Sequence, residues 1–441
     1  MTEKMKPSGI AWIGDIPQDW NIKRVKYLAS LKGRIGWQGL TSDEYIDEGP
    51  YLITGIDFQN GGIDWNNCVH ISEERWAEAP EIHIQNGDLL ITKDGTVGKV
   101  AIVSGLEGKA SLNSGVLLIR TNPDFDKRFL FWVLQSEEFW TWFRLKNAGN
   151  STIIHLYQGD FAEFSYTFPN TAEQRAIADF LDAQCTKIDS VIADIEKQIE
   201  TLQKYKKSLI TEAVTKGLDR SAPMKDSGIE WIGCIPAEWD CKKLKYIISE
   251  SLQYGANEAG DDYREDYPRY IRITDITEEN TLKEEGKLSL PPDIAAPYIL
   301  RDGDILFARS GATVGKTFFY TTNCGLAAFA GYLIRARVNP SMALPRFVYY
   351  STLGVGYENW KNTVFTQATI QNIGADKYAQ FFVTLPKLTE QSRIVEYLDE
   401  KCAKIDDIIK NKQQQLLTVQ QHKKSLIYEY VTGKKRVTEV N

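Results

Sequence analysis

One segment, residues 173–217 (EQRAIADFLDAQCTKIDSVIADIEKQIETLQKYKKSLITEAVTKG), does most to limit how this chain can fold. Apolar residues recur at Leu181, Ile188, Ile195, Leu202 and Leu209, a strict step of seven. A second row interleaves at Cys185, Ile192 and Ile199 until Lys206 ends it. Alternating steps of four and three make a coiled-coil seam. No Pro or Gly interrupts the run, and Gly217 supplies a C-terminal stop. At 1.5 Å per residue the helix would be about 65 Å long.

The pattern returns at the end of the chain. Across residues 390–433 the first row is Leu398, Ile405, Val419 and Leu426, with Lys412 in one of its places. The second row is Cys402, Ile409 and Leu416, followed by Lys423. Glu173-Gln174, Lys187-Ile188-Asp189 and Lys206-Lys207-Ser208-Leu209-Ile210 each recur 217 positions later. A shared register of this length predicts two helices that pack on each other or on like partners.

The duplication reaches beyond the helices, and self-comparison exposes it. Residues 8–20 (SGIAWIGDIPQDW) return as 227–239 (SGIEWIGCIPAEW), and residues 86–99 (NGDLLITKDGTVGK) as 302–316 (DGDILFARSGATVGK). Leu118-Ile119-Arg120, with Asn122-Pro123 after it, matches Leu333-Ile334-Arg335, with Asn339-Pro340 after it. The chain therefore reads as two tandem halves, 1–217 and 218–441, each a globular part followed by a long helix. In the first half, β-rich runs at 51–56, 88–92, 100–103 and 115–120 alternate with Gly and Asn-Pro punctuation. Aromatic-rich helical stretches follow at 129–145 and, in the second half, at 346–360. This is an α+β reading. The finer division is a domain at 1–170, a helix at 171–217, a domain at 218–387, a helix at 388–436 and a tail at 437–441. Residues 101–113 and 317–328 share little, as do 22–47 and 242–266. Two copies that keep a frame and vary its surface suit two readers of different targets.

At 441 residues the chain is too long for one core. Its 43% hydrophobic and 25% charged content is that of an ordinary globular protein. No run of 18 apolar residues and no apolar leader is present, so neither membrane spanning nor secretion is expected. The six cysteines form no C-x-x-C pair, and Cys185 and Cys402 fall in the seams as small apolar fillers; a reducing cytoplasm is expected. A net charge of −7 runs against the basic balance usual in DNA-binding domains, although the placement of Lys and Arg matters more than their sum.

The run Gly311 to Lys316 imitates a phosphate loop and fails it. Three residues, not four, separate its glycines, and a strand-like Phe318-Phe319-Tyr320 follows where a helix is required. A strand–turn–strand with glycines at positive φ is the better reading. Lys93 and Arg309 stand just before this turn, Thr96 and Thr313 within it, and Lys99 and Lys316 just after. Such residues on a tight turn suit contact with phosphates or base edges, or they are ordinary solvated turn residues. The polar stretches after the aromatic helices offer a second set: Asn147, Asn150, Ser151 and Thr152, then Asn362, Thr366, Gln367, Thr369 and Gln371. Read as loops, these side chains can both donate and accept at base edges. No catalytic motif accompanies them. The four histidines have no metal-ligand spacing, no Asn/Asp-Pro-Pro-aromatic motif is present, and no metal site is expected.

The S-G-I-x-W-I-G-x-I-P opening, the G-D-[IL]-L…G-x-V-G-K turn (written GDIL in the second copy) and the E-Q…K-I-D…K-K-S-L-I helix, twice in this order, resemble the specificity subunits of type I restriction–modification enzymes. That resemblance covers essentially the whole chain. It implies two target-recognition domains separated by two long antiparallel helices, each domain reading one half of a bipartite, asymmetric double-stranded DNA site. It further implies a non-catalytic subunit of the bacterial or archaeal cytoplasm. Two methyltransferase subunits and restriction subunits would be its partners. S-adenosylmethionine, ATP and Mg would then sit on those partners and no cofactor on this chain. A coiled-coil adaptor that binds protein without reading DNA is the alternative, and it fits the acidic charge.

Overall fold

The computed structural model describes residues 4–34, 40–148, 154–277, 280–311, 313–366 and 372–437. They form two units, one of residues 1–195 with 414–441 and one of residues 196–413. The long helices Thr171–Lys216 and Leu388–Val431 each begin in one unit and end in the other. Every unit thus contains a globular part, the start of one long helix and the end of the other.

In the first unit an antiparallel sheet runs in the order Val100–Ile102, Leu89–Thr92, Val116–Thr121, Ala29–Gly33. Successive side chains on a strand point to opposite faces. Leu89, Ile91, Leu117 and Ile119 accordingly enter the core shared with the aromatic helices. Leu90, Val116 and Leu118 join Ile53, Ile82 and Leu112 on the other face. Burial on both faces explains why these strands are continuous apolar runs and not alternating ones. A second sheet pairs Ala110–Leu112 parallel to Ile46–Ile53, with Val69–His70 antiparallel on its far side.

The second unit repeats the plan. Its main sheet orders Gln253–Tyr254, Leu333–Ala336, Ile305–Ala308, Thr317–Phe319, and Ala327–Phe329 runs parallel to Arg269–Ile271 in the other sheet. One sequence match needs correction. Arg120 donates from Nε and Nη2 to the two carboxylate oxygens of Asp88 (2.9 and 2.8 Å), and Arg337 does the same to Asp304 (2.8 and 2.7 Å). Arg120 therefore corresponds to Arg337, not to Arg335, which turns to Glu250. The conserved spacing to Asn122 and Asn339 agrees, since their N–H groups bond Leu28 O and Ile247 O. The G-D turn is thereby explained: its aspartate also accepts from the backbone three residues earlier, at Gln85 and Arg301, closing the turn that enters the strand.

The aromatic stretches are each two helices, Lys127–Gln135 with Glu137–Lys146, and Pro345–Ser351 with Val355–Thr366. Ser136, extended at ψ 156°, breaks the first pair, and its hydroxyl donates to Val133 O. The expected loop after the second pair also begins late, because residues 361–366 are helical. Val364 and Phe365 pack on the core there, and that burial outweighs the weak helix preference of Asn, Thr and Val.

The E-Q motif fastens each long helix to its globular part. Gln174, 1% exposed, accepts from Asp126 N (2.8 Å) and donates to Pro169 O (2.9 Å). Gln391, fully buried, accepts from Leu344 N (2.7 Å) and donates to Pro386 O (2.9 Å). The seam divides along its length. Leu181 and Cys185 lie in one globular core with Ile427 and Val431, and Leu398 and Cys402 in the other with Ile210 and Val214. Ile195 and Ile405 are buried, whereas Ile188, Leu202, Leu209, Val419 and Leu426 are half-buried. Two seam lysines are resolved as ion pairs between helices: Lys423 with Asp189 (2.5 Å) in the first unit, and Lys206 with Asp406 (2.6 Å) in the second. In the first unit Phe180 meets Tyr430 while Asp189 meets Lys423, so the two segments there run antiparallel. Burial pushes the Cys185 and Cys402 thiols up to about 11, so both pack as neutral groups.

Candidate nucleic-acid interface

Both basic turns are β-hairpins. Gly95 (φ +66°) and Gly98 (φ +85°) turn the first, Gly311 (φ +78°) and Gly315 (φ +82°) the second, and each value favours glycine. At Gly98 a side chain would also have no room, since a Cβ would stand 2.4 Å from the Trp140 ring. At Gly315 it would stand 2.2 Å from Cδ of Lys361, an aliphatic chain in place of a ring.

The residue before each turn is held by the same backbone scheme. Lys93 N donates to Gly115 O (2.8 Å) and Lys93 O accepts from Leu156 N (3.0 Å). Arg309 N donates to Tyr332 O (3.0 Å) and Arg309 O accepts from Ile373 N (2.8 Å). Among the described residues neither cationic head has a hydrogen bond or ion pair to an acid, although the Arg309 guanidinium lies over the Tyr254 ring at 4.8 Å. The residues after the turn serve differently. Lys99 Nζ donates to Gly55 O (3.2 Å) and Lys316 Nζ to Ile276 O (3.5 Å), each reaching the loop beyond a strand of the second sheet. Thr96 Oγ1 also donates to Gly55 O (3.4 Å), and Thr313 O accepts from Lys316 N (3.0 Å). The structure thus separates the expected basic pairs into an unneutralised pair, Lys93 and Arg309, and a pair that braces the turn.

Equivalent positions around the unneutralised pair carry different chemistry. The sheet register sets Gly33 opposite Leu117 and Tyr254 opposite Ile334, so Gly33 and Tyr254 hold one position. A Cβ on Gly33 would lie 3.8 Å from Lys93 Nζ. Gly115 and the exposed Tyr332 hold another position, through the bonds to Lys93 N and Arg309 N. Asp94, next in the chain, contacts His155 Nδ1, whereas Ser310 bridges Asn372 through the backbone. Tyr254, Tyr332, Gly33 and the Asp94–His155 pair were missed by sequence reasoning. For Gly33 and Tyr254 the signal was the poor match between residues 22–47 and 242–266, which flagged a variable surface without showing what it faces.

The second set is less complete. Asn147 ends its helix and donates from Nδ2 to Phe143 O (2.9 Å), which makes it a helix cap. Asn362 is exposed within Val355–Thr366. Asn150, Ser151, Thr152, Gln367, Thr369, Gln371 and the Thr366 side chain lie outside the described residues. Beside the second hairpin, a groove of about 800 Å³ is lined by Thr313, Lys316 and Lys410, and by Lys206, Lys207 and Lys361, which pair there with Asp406 and Glu358. Unneutralised donors on a hairpin suit base edges.

Two of the four histidines have structural partners of this kind: His70 Nδ1 meets Gly49 O at 2.7 Å, and His83 stacks on Trp76 at 3.6 Å. Among the described residues no group of three His, Cys, Asp or Glu could hold a metal ion, and no helix is long and apolar enough to cross a membrane.

Comparison with known proteins gives a single direction. The sequence model of a family described as the type I restriction modification DNA specificity domain matches residues 17–201 and 252–418, one stretch in each half. The type I restriction enzyme MjaVIII specificity subunit of Methanocaldococcus jannaschii is 25% identical over 434 residues, covering 97% of this chain and 95% of that protein. The EcoKI specificity subunit of Escherichia coli is 23% identical, covering 95% and 90%. A chain from a solved structure described as the structural basis of complex assembly and conformational transition of the type I R-M system aligns with a TM-score of 0.66. It is 16% identical and covers 95% of this chain and 99% of that one, a likeness of fold.

Proposed function

This chain belongs to the type I restriction modification DNA specificity family, and on that premise we propose that its two hairpins each read one half of a bipartite DNA site. The observation that carries the reading is the pair Lys93 and Arg309. Two copies of one frame present, at the same place, a cation that has no acid partner among the described residues. Family membership favours this reading over a coiled-coil adaptor.

Contacts then divide by chemistry. Lys93 and Arg309 approach base edges, Thr96 and Thr313 lie beside them, and Lys99 and Lys316 keep the turns in shape. Asn147 and Asn362 stand at the helix side of each site, and residues 150–152 and 366–371 complete the contact set. The chain performs no chemistry of its own. Two methyltransferase subunits carry S-adenosylmethionine to the adenines, and restriction subunits supply ATP- and Mg-dependent cleavage. Because DNA repeats every turn, the long helices act as a ruler that sets the spacer between half-sites.

Sequencing modified bases in DNA from cells that express the full complex tests the reading. An asymmetric motif of two short half-sites around an unspecified spacer is the expected result, and modification without such a motif would overturn it. Four residues inserted near Thr201, about one helical turn, should lengthen the tolerated spacer and leave both half-sites unchanged.

A further inference from the structure

Among the described residues Arg309 has no carboxylate partner, unlike several other arginines of its unit. Arg269 pairs with Glu284, Arg272 with Asp275, Arg335 with Glu250, Arg337 with Asp304 and Arg346 with Asp399. The Arg309 guanidinium instead lies over an aromatic ring, its carbon 4.8 Å from the centre of Tyr254, and its Nε is buried without a partner among the described residues. Tyr254 is itself fixed at both ends. Its strand pairs with Ile334, and its hydroxyl accepts from Ala375 N at 2.9 Å. The exposed Tyr332 carries the carbonyl that holds Arg309 N.

Such an arrangement orders the guanidinium before any ligand arrives, so little rotamer entropy remains to be lost on binding. It leaves terminal N–H donors in a planar fork with no internal acceptor among the described residues. A fork of this kind matches two acceptors side by side, and in the DNA major groove guanine alone presents O6 and N7 together. A phosphate can also take such a fork on two oxygens, but a point charge serves it, and a lysine supplies that as well. We propose that Arg309, oriented by Tyr254, reads a guanine in the half-site of the second unit. This rests on the DNA-reading function proposed above. Lys93, beside glycines and with no ring to orient it, makes no comparable commitment.

The test uses the complete complex with its methyltransferase subunits and duplexes carrying the motif found in vivo. The half-site of the second unit is first assigned by exchanging residues 218–387 for those of a relative. Guanines on wild-type substrate are then methylated at N7 with dimethyl sulfate, and bound and free DNA are compared. Binding is expected to be blocked by N7 methylation of a guanine in that half-site. Arg309→Ala should lower discrimination at that base pair by about 5- to 150-fold, the worth of one bidentate contact, and leave other positions unchanged. Arg309→Gln should move the preference there toward adenine, a readout that misfolding cannot imitate. A half-site without guanine, or one whose guanines all tolerate N7 methylation, overturns the proposal without recourse to any variant. Equal weakening of every sequence by Arg309→Ala, with a shallower salt dependence, would assign Arg309 to phosphate and also overturn it. If the wild-type complex bound no bipartite sequence, the DNA-reading function would fail first, and the two failures are distinct.

Discussion

Lys93 and Arg309 occupy one position in two copies of a single frame, and almost everything that touches them differs. Lys93 has Gly33 and Gly115 as neighbours where Arg309 has Tyr254 and Tyr332. An Asp94–His155 contact in one unit is a Ser310–Asn372 backbone bridge in the other. Trp140 covers the first turn and Lys361 the second. Against this, the frame repeats bond for bond: Asp88 with Arg120 and Asp304 with Arg337, the Gln174 and Gln391 clamps, the Asp189–Lys423 and Lys206–Asp406 pairs. The difference teaches that the frame's contacts lie in the strands and helix ends, while the surface beside the hairpin is free to change. Function of this kind resides in a site carried by a fold.

The comparison can be broken most sharply at the turns. Gly98→Ala meets both a positive φ and a rigid indole, and should cost about 2–5 kcal/mol. Gly315→Ala meets the same φ penalty but a flexible lysine chain, and should cost about 1–2 kcal/mol. Urea unfolding of the two variants checks the ratio, and equal losses would show that Trp140 can give way. The glutamine clamps should instead behave alike. Gln174→Ala and Gln391→Ala each remove two hydrogen bonds from a buried site, and each should lose about 2–4 kcal/mol. A large inequality between them would mean that the two frames are not equivalent.

A smaller effect separates the units again. Burial raises the carboxyl of Glu138, whose Oε2 has no partner, above the usual carboxylate range. The folded state therefore holds that proton more tightly than the unfolded state. Stability from this group is present below the ordinary carboxyl range and falls as pH rises through the raised value. Glu138→Gln should accordingly stabilise the protein at pH 7, by on the order of 1 kcal/mol, and have little effect at pH 4. The second unit caps its equivalent helix with Thr211 Oγ1, which accepts from Val355 N at 2.8 Å. Thermal melts at the two pH values read the sign.

Much of this architecture could be read from the residues because it rests on local rules. The two long helices, the glycines of both hairpins and the apolar strands beside them follow from periodicity or from φ. Other features needed three dimensions. Leu-Ile-Arg occurs at 118–120 and at 333–335, but the carboxylate of Asp304 selects Arg337, two residues further on. Residues 361–366 look like loop by propensity and are helix because Val364 and Phe365 find a core. The site itself was half legible. Lys93 and Arg309 stood out beside their turns, whereas Tyr254 reaches Arg309 from a strand more than fifty residues away, through a sheet register that identity between the copies does not reveal.

The central claim is that one frame carries two independent readers. The most direct measurement replaces residues 218–387 with the corresponding part of a related specificity subunit and sequences the modified bases in cells expressing the complex. The account predicts that one half-site changes while the other half-site and the spacer length stay as they were. A change in both half-sites, or in neither, would contradict it.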